Sequence, residues 1–144
     1  MTRINCIPVS ELCDQQLLGE WTEIGHVFTK ARPPKPGERF PDQYTLGRGH
    51  VKFFYTRLPW LLRRSIQVYE ELLFRGVHVD ISIHNARCRT VAEKRSIIPY
   101  KLWTPTQADI ELNRARVLER MDTMKRQPTY FGEPLHRQEQ SNAE

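Results

Sequence analysis

Apolar residues recur at helical spacing in three separate stretches of the chain, and the text between them is of a different kind. Over Asp14–Lys30, the residues Leu17, Leu18, Trp21, Ile24 and Phe28 return every three or four positions, which predicts an amphipathic helix that buries one stripe. Ser10 is placed to cap its start. The opposite side carries Gly19, Thr22, Glu23 and His26, and the small Gly19 and Gly25 leave little bulk there, so a partner's backbone or sugar can come close. The same strip also suits an ordinary solvated helix face. A second stripe, Leu58, Leu61, Leu62, Ser65, Ile66, Tyr69, Leu72 and Leu73, predicts a helix over residues 56–75, with Pro59 in its first turn and Gly76 just past its end. Residues 51–55 read as an apolar lead-in wedged into the core. A third helix is predicted over residues 106–125, opened by a capping box of Thr106 and Asp109 and burying Ile110, Val117, Leu118, Met121 and Met124.

The intervening text has no such period. Residues 31–50 contain Pro33, Pro34, Pro36, Pro41 and three glycines, so no regular helix persists there, and their Lys and Arg suit either a phosphate backbone or plain solvent. His50, beside an aromatic run, reads as a packed, hydrogen-bonded residue. Val77, Val79, Ile81 and Ile83 alternate with polar residues, which predicts an extended segment docked as irregular structure. Arg87, Arg89, Lys94 and Arg95 are expected in a polar loop, as phosphate contacts or a solvated patch. Tyr130 and Phe131 have two uses open to them, stacking on a base or closing over the helices. The fold class expected is all-α: a compact single domain, residues 1–132, of three principal helices with long irregular loops, followed by a polar tail, 133–144.

Composition narrows the setting. At 144 residues and 17.1 kDa the chain is long enough to bury a core without disulfides. Cys6, Cys13 and Cys88 form no Cys-x-x-Cys pair, and the spacing of His78, Asp80 and His84 lacks further ligands, so no metal is expected and the thiols are expected reduced. No run approaches the roughly 18 apolar residues of a membrane span, and the start lacks a signal-peptide pattern; a soluble, cytoplasmic protein is expected. The net charge of +5 comes mostly from arginine, a planar donor suited to phosphate oxygens, and is compatible with nucleic acid. Arg116 and Arg120, four apart on one side of the third helix, can grip successive phosphates.

The order of particular residues says more. Met1-Thr2-Arg3-Ile4-Asn5, then Val9-Ser10-Glu11-Leu12, Asp14-Gln15, Leu17, Glu20, Glu23 and Val27-Phe28 resemble, without a gap, the opening of the pyrimidine-dimer DNA glycosylases, the family of the T-even phage endonuclease V. Leu46-Gly47, Gly49-His50-Val51, Phe53-Phe54-Tyr55, Leu58, Leu61, Arg64 and Arg75-Gly76 resemble the middle of the same family, and Ala115-Arg116, Glu119-Arg120, Arg126, Pro128-Thr129-Tyr130 and Gly132 match it more sparsely. The likeness touches most of the chain outside about half of residues 77–106.

The resemblance implies a chemistry. With Met1 removed, the α-amine of Thr2 becomes the first group of the protein, and its ordinary pKa near about 7.7–8.0 leaves an appreciable neutral, nucleophilic fraction. In such a family this amine attacks the sugar carbon of a damaged nucleotide and forms an imine, while Glu23 stabilises the cationic stage and moves protons. The imine then permits β-elimination of the 3′ phosphate. Arg3 beside the amine implies a phosphate contact, and Thr22 and His26 occupy DNA-facing positions where the family usually shows Arg. Gln16 and Gly25 stand where it often has His and Pro. The expected partner is double-stranded DNA containing a lesion, bound by a monomer without diffusible cofactor, with the N-terminal segment threaded into the helix cluster so that its end meets Glu23. The lesion expected is the cyclobutane pyrimidine dimer. The same chemistry on another damaged base, or a catalytically silent DNA-binding protein on this scaffold, are the alternatives.

Overall fold

The computed structural model describes residues 4–135, which are mostly helical. Five helices follow one another: α1 (Asp14–Lys30), α2 (His50–Tyr55), α3 (Leu58–Phe74), α4 (Ile81–Lys94) and α5 (Gln107–Thr123), and then β1 (Thr129–Tyr130) pairs antiparallel with β2 (Glu133–Pro134). α1 packs on α2, α3 and α4, and α3 packs on α4, around a core of Leu17, Trp21, Ile24, Val27, Phe28, Phe53, Phe54, Leu58, Leu61, Val68 and Leu72.

The apolar stripe of α1 is narrower and cleaner than its composition suggests. Leu17, Glu20, Ile24 and Val27 lie on one line at helical spacing and all are fully buried, whereas Leu18, expected inside, is 41% exposed. The cap also differs from expectation. Ser10 sits in a short 3₁₀ turn, Val9–Glu11, and the start of α1 is closed instead by Cys13, whose N–H donates to the Gln16 side chain at 3.1 Å. Ile66 and Leu73 on α3 and Leu118 on α5 are likewise exposed rather than inward. Each lies beside a stripe that smaller or polar residues, Ser65 and Asn113 among them, complete.

Residues 77–104 correct the sequence reading most. They contain α4, a fourth long helix, where an extended segment and a loop were expected. Asp80 caps it by accepting the N–H of Ser82 at 2.9 Å, so a helix begins in the middle of the alternating run. Val77 and Val79 follow the expected alternation, half-buried beside exposed His78 and Asp80, but Ile81 and Ile83 are 49% and 40% exposed, so the burial pattern stops where the helix begins. Two of the four cations placed in a loop here serve the fold. Arg87 is buried against α1, its guanidinium 3.9 Å from the Trp21 ring and donating to the Trp21 carbonyl at 2.7 Å and to Ser65 Oγ at 2.9 Å. Burial pulls its pKa down to about 10, which still leaves it charged at neutral pH. A Cβ on Gly25 would come within 2.9 Å of Arg87 Nη2, so this glycine admits a cation of the same chain rather than an outside partner. Lys94 donates to the carbonyls of Phe28, Thr29 and Ala31 at 2.7–3.1 Å and so satisfies the open end of α1.

Past α4 the chain crosses over α2. Trp103 stacks on Tyr44 and meets Phe53, Phe54 and Trp60 at ring distances of 4.5–5.8 Å. α5 begins at the predicted capping box, with Thr106 Oγ accepting the Asp109 N–H at 3.0 Å and Asp109 accepting that of Thr106 at 3.0 Å. No helix among the described residues is long and apolar enough to cross a membrane.

Candidate active site

The first described residues form no helix or strand, so side chains must satisfy their buried backbone groups. Ile4 donates its N–H to His50 Nε2 at 2.9 Å, and its carbonyl accepts from the Tyr44 hydroxyl at 2.9 Å. Asn113 Oδ1, from α5, accepts the N–H groups of Cys6 at 2.7 Å and Ile7 at 3.2 Å, and Arg64 Nη1, from α3, donates to the Ile7 carbonyl at 2.6 Å. A buried backbone group left unpaired costs about 1–3 kcal/mol, so these donors and acceptors together hold residues 4–7 in one path.

At the centre of this arrangement is a carboxylate that touches no solvent. Glu20 accepts from Arg64 Nε at 2.7 Å, Arg64 Nη2 at 3.1 Å and Asn5 Nδ2 at 2.8 Å, while Asn113 Nδ2 donates to Asn5 Oδ1 at 2.7 Å. The forked geometry of arginine against a carboxylate suits a buried charge, which is stable only when its lone pairs are met. Burial also silences the neighbouring thiol, since desolvation pushes Cys6 up to about 12 despite the opposing pull of Arg64. Tyr44 is raised well above the usual phenol range, again chiefly by burial, so its hydroxyl remains a donor to Ile4.

One turn further along α1 the environment changes. Glu23 opens into a cleft of about 530 Å³ whose other walls are Arg39, Pro41, Gly47, Arg48, Gly49, His50, Val51, Lys52 and Tyr55. Its side chain is 25% exposed, with His26 Nδ1 3.7 Å away as an i, i+3 neighbour. His50 joins the cleft to Ile4. Its Nδ1 lies 2.6 Å from the Thr45 carbonyl, which can only accept, so Nδ1 carries the proton and Nε2 receives the Ile4 N–H. The first described residue, Ile4, is therefore bonded to a residue lining the cleft that holds Glu23.

The other predicted residues fall in three places. Thr2 and Arg3 lie outside the described residues. Thr22 and His26 share the exposed strip with Glu23, though the Thr22 hydroxyl points back to the Leu18 carbonyl at 3.3 Å. Arg116 and Arg120 stand elsewhere. Gln16 donates to the Val117 carbonyl at 3.0 Å, which sets this part of α5 against the first turn of α1, about 10 Å along the axis from Glu23. Tyr130 is half-buried with its ring 4.4 Å from the Arg75 guanidinium, and its hydroxyl donates to the Ser10 carbonyl. Phe131 meets the edge of Phe74 at 5.4 Å. Among the described residues no group of three or more His, Cys, Asp or Glu is placed to hold a metal ion.

Sequence reasoning passed over Glu20, Arg64 and Asn113 as functional supports, and it left Arg39 and Arg48 among the basic residues of 31–50 without singling them out. For Glu20 there was a signal: it falls on the Leu17, Ile24, Val27 line, and a glutamate on an apolar stripe needs a buried partner. Arg64 is placed the same way among Leu61, Ser65 and Val68.

A sequence model of pyrimidine dimer DNA glycosylase matches residues 1–85, a span that includes the anchored N-terminal segment, both glutamates, Arg64 and every wall of the cleft.

Proposed function

The chain belongs to the pyrimidine dimer DNA glycosylase family, and on that premise we propose that it excises a damaged base from duplex DNA and then cuts the strand, using the α-amine of Thr2 as nucleophile and Glu23 as the acid–base partner. The neutral amine attacks C1′ of the damaged nucleotide, and the base leaves with the electron pair of its glycosidic bond. The sugar ring opens to an imine, a proton is taken from C2′, and the electron pair of that bond expels the 3′ phosphate, breaking C3′–O. Glu23 carries the proton transfers and offsets the positive charge that develops at the sugar.

The observation that supports this most is the Ile4 to His50 hydrogen bond. It anchors the chain at the wall of the Glu23 cleft, and two peptide units from Ile4 limit the Thr2 α-carbon to within about 8 Å of that anchor. Residues 4–7, held by His50, Tyr44, Asn113 and Arg64, give the nucleophile proposed here a fixed point of attachment beside the cleft, and positioning is what nucleophilic catalysis requires. Access to a base inside a duplex requires extrusion of a nucleotide, costing a few kcal/mol and least where stacking is already damaged. The cyclobutane pyrimidine dimer is the substrate proposed.

Borohydride reduction on an abasic-site duplex tests the chemistry. The native protein should form a covalent complex, and protein with an acetylated or extended N-terminus should form none. Binding without trapping by the native protein would overturn the enzymatic reading and leave a DNA-binding protein. Incision across a panel of lesion-bearing duplexes should be fastest on the pyrimidine dimer; a faster cut at another damaged base would move the substrate and leave the mechanism standing.

A further inference from the structure

The cleft beside Glu23 has a basic wall, and two of its charges are not used by the described fold. Several arginines are employed internally: Arg64 on Glu20, Arg75 on Asp14 and Glu71, Arg87 on Trp21, Arg114 on Glu11. Lys52, also in the cleft, donates to Glu38 at 2.9 Å. Arg39 and Arg48 differ. Both are exposed, both line the cleft, and neither makes a hydrogen bond or ion pair with another of the described residues.

Their backbones are held although their side chains are not. Glu38, the residue before Arg39, accepts from Arg32 at 2.6 and 3.1 Å, from the Lys35 N–H at 2.9 Å and from Lys52, which latches the proline-rich loop to α2. Phe40, the residue after, is buried with its ring edge-on to Tyr55. Arg48 precedes Gly49, whose backbone, at φ 89°, packs so closely on Pro41 that an added Cβ would lie 2.7 Å from its ring. The Pro41 to Gly49 contact thus joins the two halves of residues 31–50 and brings Arg39 and Arg48 to one cleft. Two guanidinium groups without a partner among the described residues, on an anchored rim of the cleft that Glu23 also lines, suit an oxyanion, which can accept two hydrogen bonds from each, rather than a neutral group.

We propose that Arg39 and Arg48 clamp the backbone phosphates that flank the reacting sugar, so that the cations serving Glu23 come from the loop opposite rather than from α1. This rests on the glycosylase reading for the identity of the anion, DNA phosphodiester, but not for the existence of the site. At about 530 Å³ the cleft lies within the range of roughly 300–1,000 Å³ that accommodates a nucleotide-sized ligand.

Equilibrium binding to a duplex containing a tetrahydrofuran abasic analogue, measured from 50 to 200 mM salt, tests the site. In the Arg39→Gln, Arg48→Gln double variant the salt slope should flatten by about 1.8, so that affinity falls roughly tenfold less across that range than in the native protein. The Arg39→Lys, Arg48→Lys variant should keep the native slope. Replacing the phosphates on either side of the analogue with neutral methylphosphonates should weaken native binding and leave the Gln variant within about twofold of its own unmodified value, because its contacts there are already gone. An unchanged slope, or equal losses in both proteins on the neutral linkages, would overturn the proposal. If the native protein traps no abasic DNA but the slope still flattens, the glycosylase reading fails and the anion site stands. If trapping succeeds and the slope does not move, the anion site alone fails.

Discussion

Two glutamates one turn apart on α1 have opposite fates. Glu20 is fully buried and accepts three hydrogen bonds from Arg64 and Asn5; Glu23 lies in an open cleft, where among the described residues its one ion-pair neighbour is His26 at 3.7 Å. A carboxylate whose lone pairs are all used on the fold has nothing left for a substrate, and one with free lone pairs in a cleft contributes little to stability. The difference separates holding from acting. Glu20 holds the segment through Asn5, and Glu23 is left open to the cleft, as the proposed chemistry needs.

The contrast is sharpest in what each loss should do. Glu23→Gln keeps the shape and removes the proton acceptor, so strand scission on abasic DNA under single-turnover conditions should fall by about 10²–10⁴-fold, with urea unfolding shifted by less than about 0.5 kcal/mol. Glu20→Ala leaves Arg64 buried without its carboxylate and should lower unfolding free energy by about 3–5 kcal/mol, a large part of the roughly 5–15 kcal/mol that holds a domain of this size. An E20A protein as stable as the native one would remove the distinction between the two glutamates.

A smaller effect concerns a third carboxylate that also serves the fold. Asp14 is partly buried, which raises its pKa, but hydrogen bonds from Thr129, Gly132, Arg75 and Phe131 outweigh that and hold it below the usual carboxylate range. It closes the β1–β2 turn, where Phe131 and Gly132 both take positive φ, by accepting their N–H groups at 3.1 and 2.8 Å. A carboxylate with a lowered folded-state pKa stabilises fully above its unfolded value, about 3.9, and that contribution is lost as pH falls through the folded value. Amide exchange at Phe131 and Gly132 should therefore accelerate as pH is lowered below about 4 beyond the intrinsic trend, and Asp14→Asn should show no such pH step.

Much of this could be read before any coordinates, for identifiable reasons. α1 and α3 announced themselves because their stripes repeat over 17 residues each, and α5 because Thr106 and Asp109 make a local cap that needs no tertiary context. α4 did not, because its apolar residues are few, Ile81 and Ile83 are exposed, and its polar contacts with α1 are made by Arg87 and Lys94, which sequence reasoning leaves open to solvent or phosphate. Glu23 was marked as the cleft residue by the resemblance and not by its spacing, which a solvated helix face would share. The support for the chain end was hidden for a different reason. His50, Arg64 and Asn113 lie 46 to 107 positions from the backbone groups they bond, and no local pattern reports a contact over that distance. Arg39 and Arg48 became distinct only once the fold was seen to bring them to the cleft that Glu23 lines.

The central claim is that the chain end, directed by the anchored segment, is the group that bonds to the sugar. Mass spectrometry of the borohydride-reduced protein–DNA complex, after proteolysis and nuclease digestion, locates that bond directly. A reduced sugar remnant on the α-nitrogen of Thr2 is the result predicted. The same remnant on a lysine side chain, with the Thr2 amine unmodified, would contradict the account.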